Sequence, residues 1–70
     1  MPNNTYKLVE IVGTSGESFA KAAASGVERA AQSLRNLDWF EVTSMRGRIQ
    51  DGHIAQYQVT MKVGFRLDEE

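Results

Sequence analysis

The chain has 70 residues and a mass of 7.8 kDa, is 41% hydrophobic and 24% charged, and carries a net charge of -1. This composition reads as one small globular domain and excludes a disordered chain, and the balance of eight basic against nine acidic residues lacks the basic excess of a general nucleic-acid binder. With no cysteine and one histidine, disulfides, iron–sulfur clusters and thiolate zinc sites are excluded, and a catalytic zinc has too few imidazoles.

The first predicted element is a strand over Tyr6-Lys7-Leu8-Val9-Glu10-Ile11-Val12, rich in β-formers and stopped by Gly13. Ahead of it, Met1 to Thr5 shows neither the basic nor the apolar region of a signal peptide, and no run approaches the roughly 18 apolar residues of a membrane span. A cytoplasmic protein with no membrane partner is expected. Thr14-Ser15-Gly16-Glu17 then reads as a capping box opening a helix. Phe19, Ala23, Val27, Ala30, Leu34 and Leu37 recur at helical spacing and build one apolar stripe, with Lys21, Ser25, Glu28, Arg29, Gln32 and Arg35 opposite. The small residues Ala22, Ala23, Ala24 and Gly26 suit a close approach to the sheet, and the helix is expected to end near Asn36.

Asp51-Gly52 is the strongest local signal. It separates two β-rich runs, Trp39 to Gln50 and His53 to Leu67, as a type I′ hairpin requires. Each run far exceeds the usual strand of about 5–6 residues. At about 3.3 Å per residue the hairpin overhangs its own helix and needs cover from elsewhere. Surface scaling points the same way, because a chain this short buries only about 60% of its extended surface. Without disulfides or a structural metal, oligomerisation is the remaining source of stability.

If Asp51 and Gly52 are the loop, Gln50 pairs with His53 and the register fixes both faces. The helix side then holds Phe40, Val42, Ser44, Tyr57, Val59, Met61, Val63 and Phe65. The other side holds Trp39, Glu41, Thr43, Met45, Gln56, Gln58, Thr60, Lys62 and Arg66. In this register Arg46 and Arg48 fall on the apolar face, so a bulge near Gly47 is predicted to turn them outward. The only tryptophan lands on a polar sheet face. One reading makes Trp39 an anchor in an oligomer interface. The other makes it a stacking platform for a flat aromatic ligand, with Met45 packed nearby and glutamine amides matching the polar edge of a heteroaromatic ring. Both hold together if the ligand lies in the interface.

Other constellations are weaker. Gly13-Thr14-Ser15-Gly16 before a helix is a phosphate-cradle candidate, yet it lacks the Gly-Lys-Ser/Thr ending of a P-loop. Ser15, His53 and Asp51 supply the residue types of a triad without its geometry. Asp38, Glu41 and Asp68-Glu69-Glu70 read as solvated charges.

Several segments together resemble the dodecins. They are Val9-Glu10-Ile11-Val12-Gly13-Thr14-Ser15, Leu34 to Val42 with its Leu-Asp-Trp-Phe-Glu-Val, Arg46-Gly47, Tyr57-Gln58-Val59, and Lys62-Val63-Gly64-Phe65-Arg66-Leu67. The resemblance covers about Tyr6 to Leu67 and implies an α+β protomer of β-α-β-β order. Its three-stranded antiparallel sheet partly wraps one helix, and protomers assemble as a hollow homododecamer. Residues 1–70 then form a single dodecin-like domain, with 1–4 and 68–70 as flexible ends. It further implies flavin pairs stacked at subunit contacts between tryptophans. Trp39 matches the family tryptophan, Gln58 the glutamine that hydrogen-bonds the isoalloxazine, and Arg46 a contact to phosphate or flavin edge. Arg66 matches a family arginine that serves ligand or assembly. The implied ligand is FMN, or else riboflavin or another flavin, and the implied role is storage rather than enzymatic turnover. A ligand-free structural oligomer and a flavin-dependent oxidoreductase remain the alternatives at this stage.

Overall fold

The computed structural model describes residues 3–68. Residues 1, 2, 69 and 70, which belong to the ends expected to be flexible, lie outside the described residues. The order is β1 (Tyr6–Ser15), α1 (Phe19–Ala31), β2 (Leu37–Gln50) and β3 (His53–Arg66). All strands pair antiparallel in one sheet of order β1-β3-β2, which places β3 in the centre. This is the α+β, β-α-β-β protomer expected from the sequence.

The first strand runs past the expected stop. Gly13, Thr14 and Ser15 pair with Val59, Gln58 and Tyr57, so Thr14 is a strand residue and caps nothing. The capping box is therefore corrected. Ser18 is the N-cap, extended at φ -167° and ψ 164°, and its hydroxyl accepts from the Lys21 N–H at 3.0 Å. The Ser15 hydroxyl accepts from the Glu17 N–H at 2.9 Å and tightens the turn between them. Extending the ladder over three more residues adds backbone bonds to β3 that a cap at Thr14 would forgo.

The helix also ends earlier than Asn36. After Ala31 the N–H groups of Gln32 and Ser33 bond back to the Arg29 and Ala30 carbonyls at 3.1 and 3.0 Å, and the coil closes. Asn36 takes a left-handed conformation at φ 63°. Its carbonyl accepts from the Arg66 N–H at 3.0 Å, while its amide donates to the Arg66 carbonyl at 3.2 Å and to Asp68 Oδ1 at 2.8 Å. Leu34 and Leu37 thus lie beyond the helix, and Leu37 begins β2. The same bonds fix the start of β2 against the end of β3, and they hold Asp68 in place.

The helix meets the sheet through glycine. Ala22 and Gly26 are its buried residues, and a Cβ on Gly26 would lie 3.1 Å from Gly13 Cα. Met61, Val59 and Val63 of β3 complete the buried core with Ala22. Val9, Ile11, Phe19, Ala23, Val27, Leu37 and Tyr57 pack around it, with Phe19 and Tyr57 edge to face at 4.9 Å.

Asp51 and Gly52 close the hairpin with φ of 52° and 78°, the paired positive values a type I′ turn needs. Two bulges correct the simple register. Thr43 is extra on β2 and Ala55 is extra on β3, so between them Ser44 pairs with Thr60, Met45 with Val59, Arg46 with Gln58 and Arg48 with Gln56. Each bulge reverses the alternation of faces. Arg46 and Arg48 therefore turn to the polar side as expected. Gly47, however, is regularly paired with Tyr57. Ser44 moves to the polar face and Met45 to the helix side, which corrects both placements and removes Met45 from the surroundings of Trp39. A third irregularity at Asp38 precedes Trp39.

The overhang is present. Thirteen helical residues span about 20 Å against about 46 Å for 14 strand residues. The molecule measures 55 × 20 × 14 Å, with a radius of gyration of 14.6 Å against about 11 Å for a compact chain of this length.

Candidate functional site

The sheet face away from the helix carries all four residues singled out from the sequence. Trp39 pairs with Gly64, and Gly64 pairs on its other side with Leu8. The indole leans from β2 across the bare backbone of Gly64 toward β1. There Tyr6 meets it with ring centroids 5.0 Å apart and planes tilted by 60°. Trp39 keeps 44% of its surface exposed. A large aromatic side chain held on a glycine and left this open has a face available for stacking.

Arg66 lies beside that seat. It pairs with Tyr6 and lines a cleft of about 300 Å³ with Asn4, Tyr6, Asn36, Leu37 and Asp38. Gln58 and Arg46 form a second pair farther along the hairpin, directly opposite one another. The Gln58 amide donates to Gln56 Oε1 at 2.8 Å, so one N–H is engaged and its carbonyl remains available as an acceptor. Gln56 is one of the glutamines that the pattern places on this face, although the family resemblance singles out Gln58 alone. The alternation along β3 contains that information, since positions 56 and 58 share a face.

The structure does not bring the four together within one chain. Gly64 and Gln58 are six positions apart on β3, about 20 Å along the strand. Lys62 stands between, flanked in register by Glu10 and Glu41. Trp39 with Arg66 and Gln58 with Arg46 are two candidate half-sites on one face, too far apart for a single ring to touch both in one protomer.

The weaker candidates do not assemble. Gly13, Thr14 and Ser15 are paired strand residues, so no glycine-rich loop precedes the helix. Ser15 pairs with Tyr57, whereas His53 lies four strand positions farther toward the turn, about 13 Å away, and Asp51 is in the turn itself. Among the described residues, no three histidine, cysteine, aspartate or glutamate side chains gather as a metal site. No described helix is long and apolar enough to cross a membrane.

The dodecin family model matches residues 5–68, nearly the whole described chain. The chain belongs to the dodecin family. It is 50% identical over 64 residues to a dodecin of Thermus thermophilus, covering 91% of this chain and 93% of that one. The solved dodecin of Streptomyces davaonensis superposes with a TM-score of 0.95 at 59% identity, covering 97% of this chain and all of that one. A more distant relative is the calcium dodecin of Mycobacterium tuberculosis, solved with a calcium-binding site. Its structure matches at a TM-score of 0.81 and 30% identity over 94% of each chain. Dodecin membership explains why β3 is central and why the helix covers only part of the sheet, because that arrangement is shared with these solved structures.

Proposed function

We propose that the protein binds and stores flavin, FMN foremost, holding the rings stacked between Trp39 side chains of neighbouring copies in a hollow homododecamer. The observation that carries this reading is the half-exposed Trp39 indole lying on Gly64 on a polar sheet face. A flat, electron-poor ring system complements it. The separation of the two half-sites supports a ligand shared between chains. Trp39 and Arg66 of one copy supply the stacking surface and a cation, and Gln58 and Arg46 of another supply amide recognition and a second cation. Riboflavin or another flavin presents the same ring to the same residues.

The action is sequestration. An isoalloxazine stacked on indole rapidly accepts an electron from it on excitation, and the electron's return restores both ground states, which quenches fluorescence and photochemistry. Paired rings leave no room for a substrate over the reactive positions, so turnover is not part of the reading. The aromatic seat supports flavin over the calcium named for the mycobacterial relative.

Titrating FMN into the purified protein tests this directly. Flavin fluorescence is expected to be quenched on binding, and Trp39→Ala to weaken affinity about 10- to 100-fold with recovery of emission, the loss of about 1–3 kcal/mol of stacking. Equal quenching and affinity in the variant would sink the stacking reading. Removing the amide by Gln58→Ala is expected to weaken FMN about fivefold, as one hydrogen bond worth about 1 kcal/mol would, with the assembly's mass in light scattering unchanged. Dissociation of the oligomer by that variant would make Gln58 a structural residue instead.

A further inference from the structure

We infer that Gly64 is the positioning residue of the ligand site: the missing side chain at this position sets how deeply the Trp39 indole lies on the sheet, and hence the surface offered to a flavin. The inference rests on the flavin reading for its ligand, but its geometry stands independently.

Gly64 is buried in the central strand, where glycine weakens pairing and packing. Its backbone does not require glycine, because Gly52 alone among the described glycines has a positive φ. Gly64 is itself regularly paired on both sides, with Leu8 and Trp39, and the extra residue of the adjoining register shift is Asp38 on the neighbouring strand. What it supplies is space. A Cβ at this position would stand 2.5, 2.6 and 2.7 Å from Cζ2, Cε2 and Cη2 of Trp39. These three atoms belong to the six-membered ring of the indole, so the clash is with the body of the stacking surface and not its edge. Any side chain at 64 lifts the ring off the sheet or swings it away from Tyr6. In a site where a flat ligand fits between two such rings, a displacement of one ångström changes the gap that must match the ligand's thickness.

The test is Gly64→Ala, read first without flavin. Trp39 is the only tryptophan, so the emission maximum of the apo protein and the long-wavelength edge of its near-ultraviolet circular dichroism, where tyrosine and phenylalanine do not absorb, report its seat. The emission is expected to shift and the aromatic dichroism band to weaken, while far-ultraviolet dichroism and oligomer mass stay as in the parent. FMN affinity is expected to fall about tenfold or more. In a Trp39→Ala background, adding Gly64→Ala is expected to leave FMN affinity within about twofold, because a residue acting through the indole has nothing left to position. Should Gly64→Ala alone fail to fold, the double variant is expected to fold, its clash being gone, and failure of both overturns the inference. An unchanged tryptophan spectrum, or an equal loss of affinity in the Trp39→Ala background, also overturns it. A shifted apo spectrum in a protein whose parent shows no FMN binding would uphold the seat and overturn the flavin reading.

Discussion

Gly13→Ala is expected to lower stability by about 3 kcal/mol or more, enough to shift the thermal midpoint down by about 15 °C or to prevent folding. A Cβ on Gly13 would overlap the Ala22 carbonyl oxygen and stand 3.0 Å from the Gly26 nitrogen. Both are helix backbone atoms, and neither yields by a rotamer change. The helix must then rise off β1, which opens the contacts of Ala22 with Met61, Val59 and Val63, the whole buried core of the described chain. Gly26→Ala provides the comparison. Its Cβ meets the terminal methyl of Met61, which is flexible, and Gly13 Cα at 3.1 Å. Alanine also improves helix propensity by about 1 kcal/mol. That variant is expected to lose no more than about 1–2 kcal/mol. Thermal and denaturant unfolding of the two, followed by circular dichroism, would decide it. Equal stability of Gly13→Ala and the parent would show that the helix does not seat on β1 through these two glycines.

The same glycine pair shows what a sequence yields and what it hides. Gly26 at mid-helix, among alanines, signalled a close approach, but its partner Gly13 looked like the end of a strand. A glycine that terminates a strand and one that admits a helix are the same letter. Only the tertiary contact distinguishes them. The hairpin was legible because Asp-Gly demands positive φ at two successive positions, a purely local requirement met here at 52° and 78°. Bulges are not local in that sense. Thr43 and Ala55 carry no special backbone signal, and the need for a register change showed only in the misplaced Arg46 and Arg48. The sequence therefore required a bulge and located it wrongly, at the glycine. The helix start was misread for a related reason. Thr14-x-x-Glu17 competes with ladder bonds to Tyr57 and Gln58, partners more than 40 residues away. Ser18, followed by Lys21 rather than an acidic residue, has no capping-box signature to announce it. Trp39 was placed on the correct face because the bulges at Thr43 and Ala55 cancel before residue 42.

The open tryptophan belongs to a wider imbalance of surface. The accessible area is 5256 Å², against about 4,400 Å² for a compact chain of this mass. The excess is concentrated on β2, where every residue after Leu37 is exposed. The helix lies over β1 and β3 and barely reaches β2. The polar face of that strand carries Trp39 and Arg46 of the proposed ligand site, while its other face leaves Phe40, Val42 and Met45 at 50, 42 and 56% exposure, continued by Ile49 at the overhang. In the proposed function, a strand apolar on one face and carrying the ligand residues on the other places assembly and binding back to back. Cover for the apolar face by a second copy would fix the strand, and through it the tryptophan.

Val42→Glu is accordingly expected to abolish the proposed assembly. Val42 lies in the middle of the uncovered stripe, opposite Met61. In an isolated chain a half-exposed edge-strand valine tolerates glutamate at a loss of about 1 kcal/mol. Buried between copies, an unpaired carboxylate costs several kcal/mol at every contact, and the loss is multiplied by the number of contacts in a closed shell. Light scattering at micromolar concentration is expected to show the mass of small oligomers or monomers in place of the assembly. The apparent thermal midpoint is expected to fall by about 10–20 °C and to become dependent on protein concentration. FMN quenching should be lost with the assembly although Trp39, Gly64 and Tyr6 are untouched, because the second half-site comes from another copy. A variant that keeps the parent's mass would place the interface elsewhere. One that dissociates yet still quenches FMN would show that a single chain suffices to bind it, and would remove the sharing of the site between copies from the proposed function.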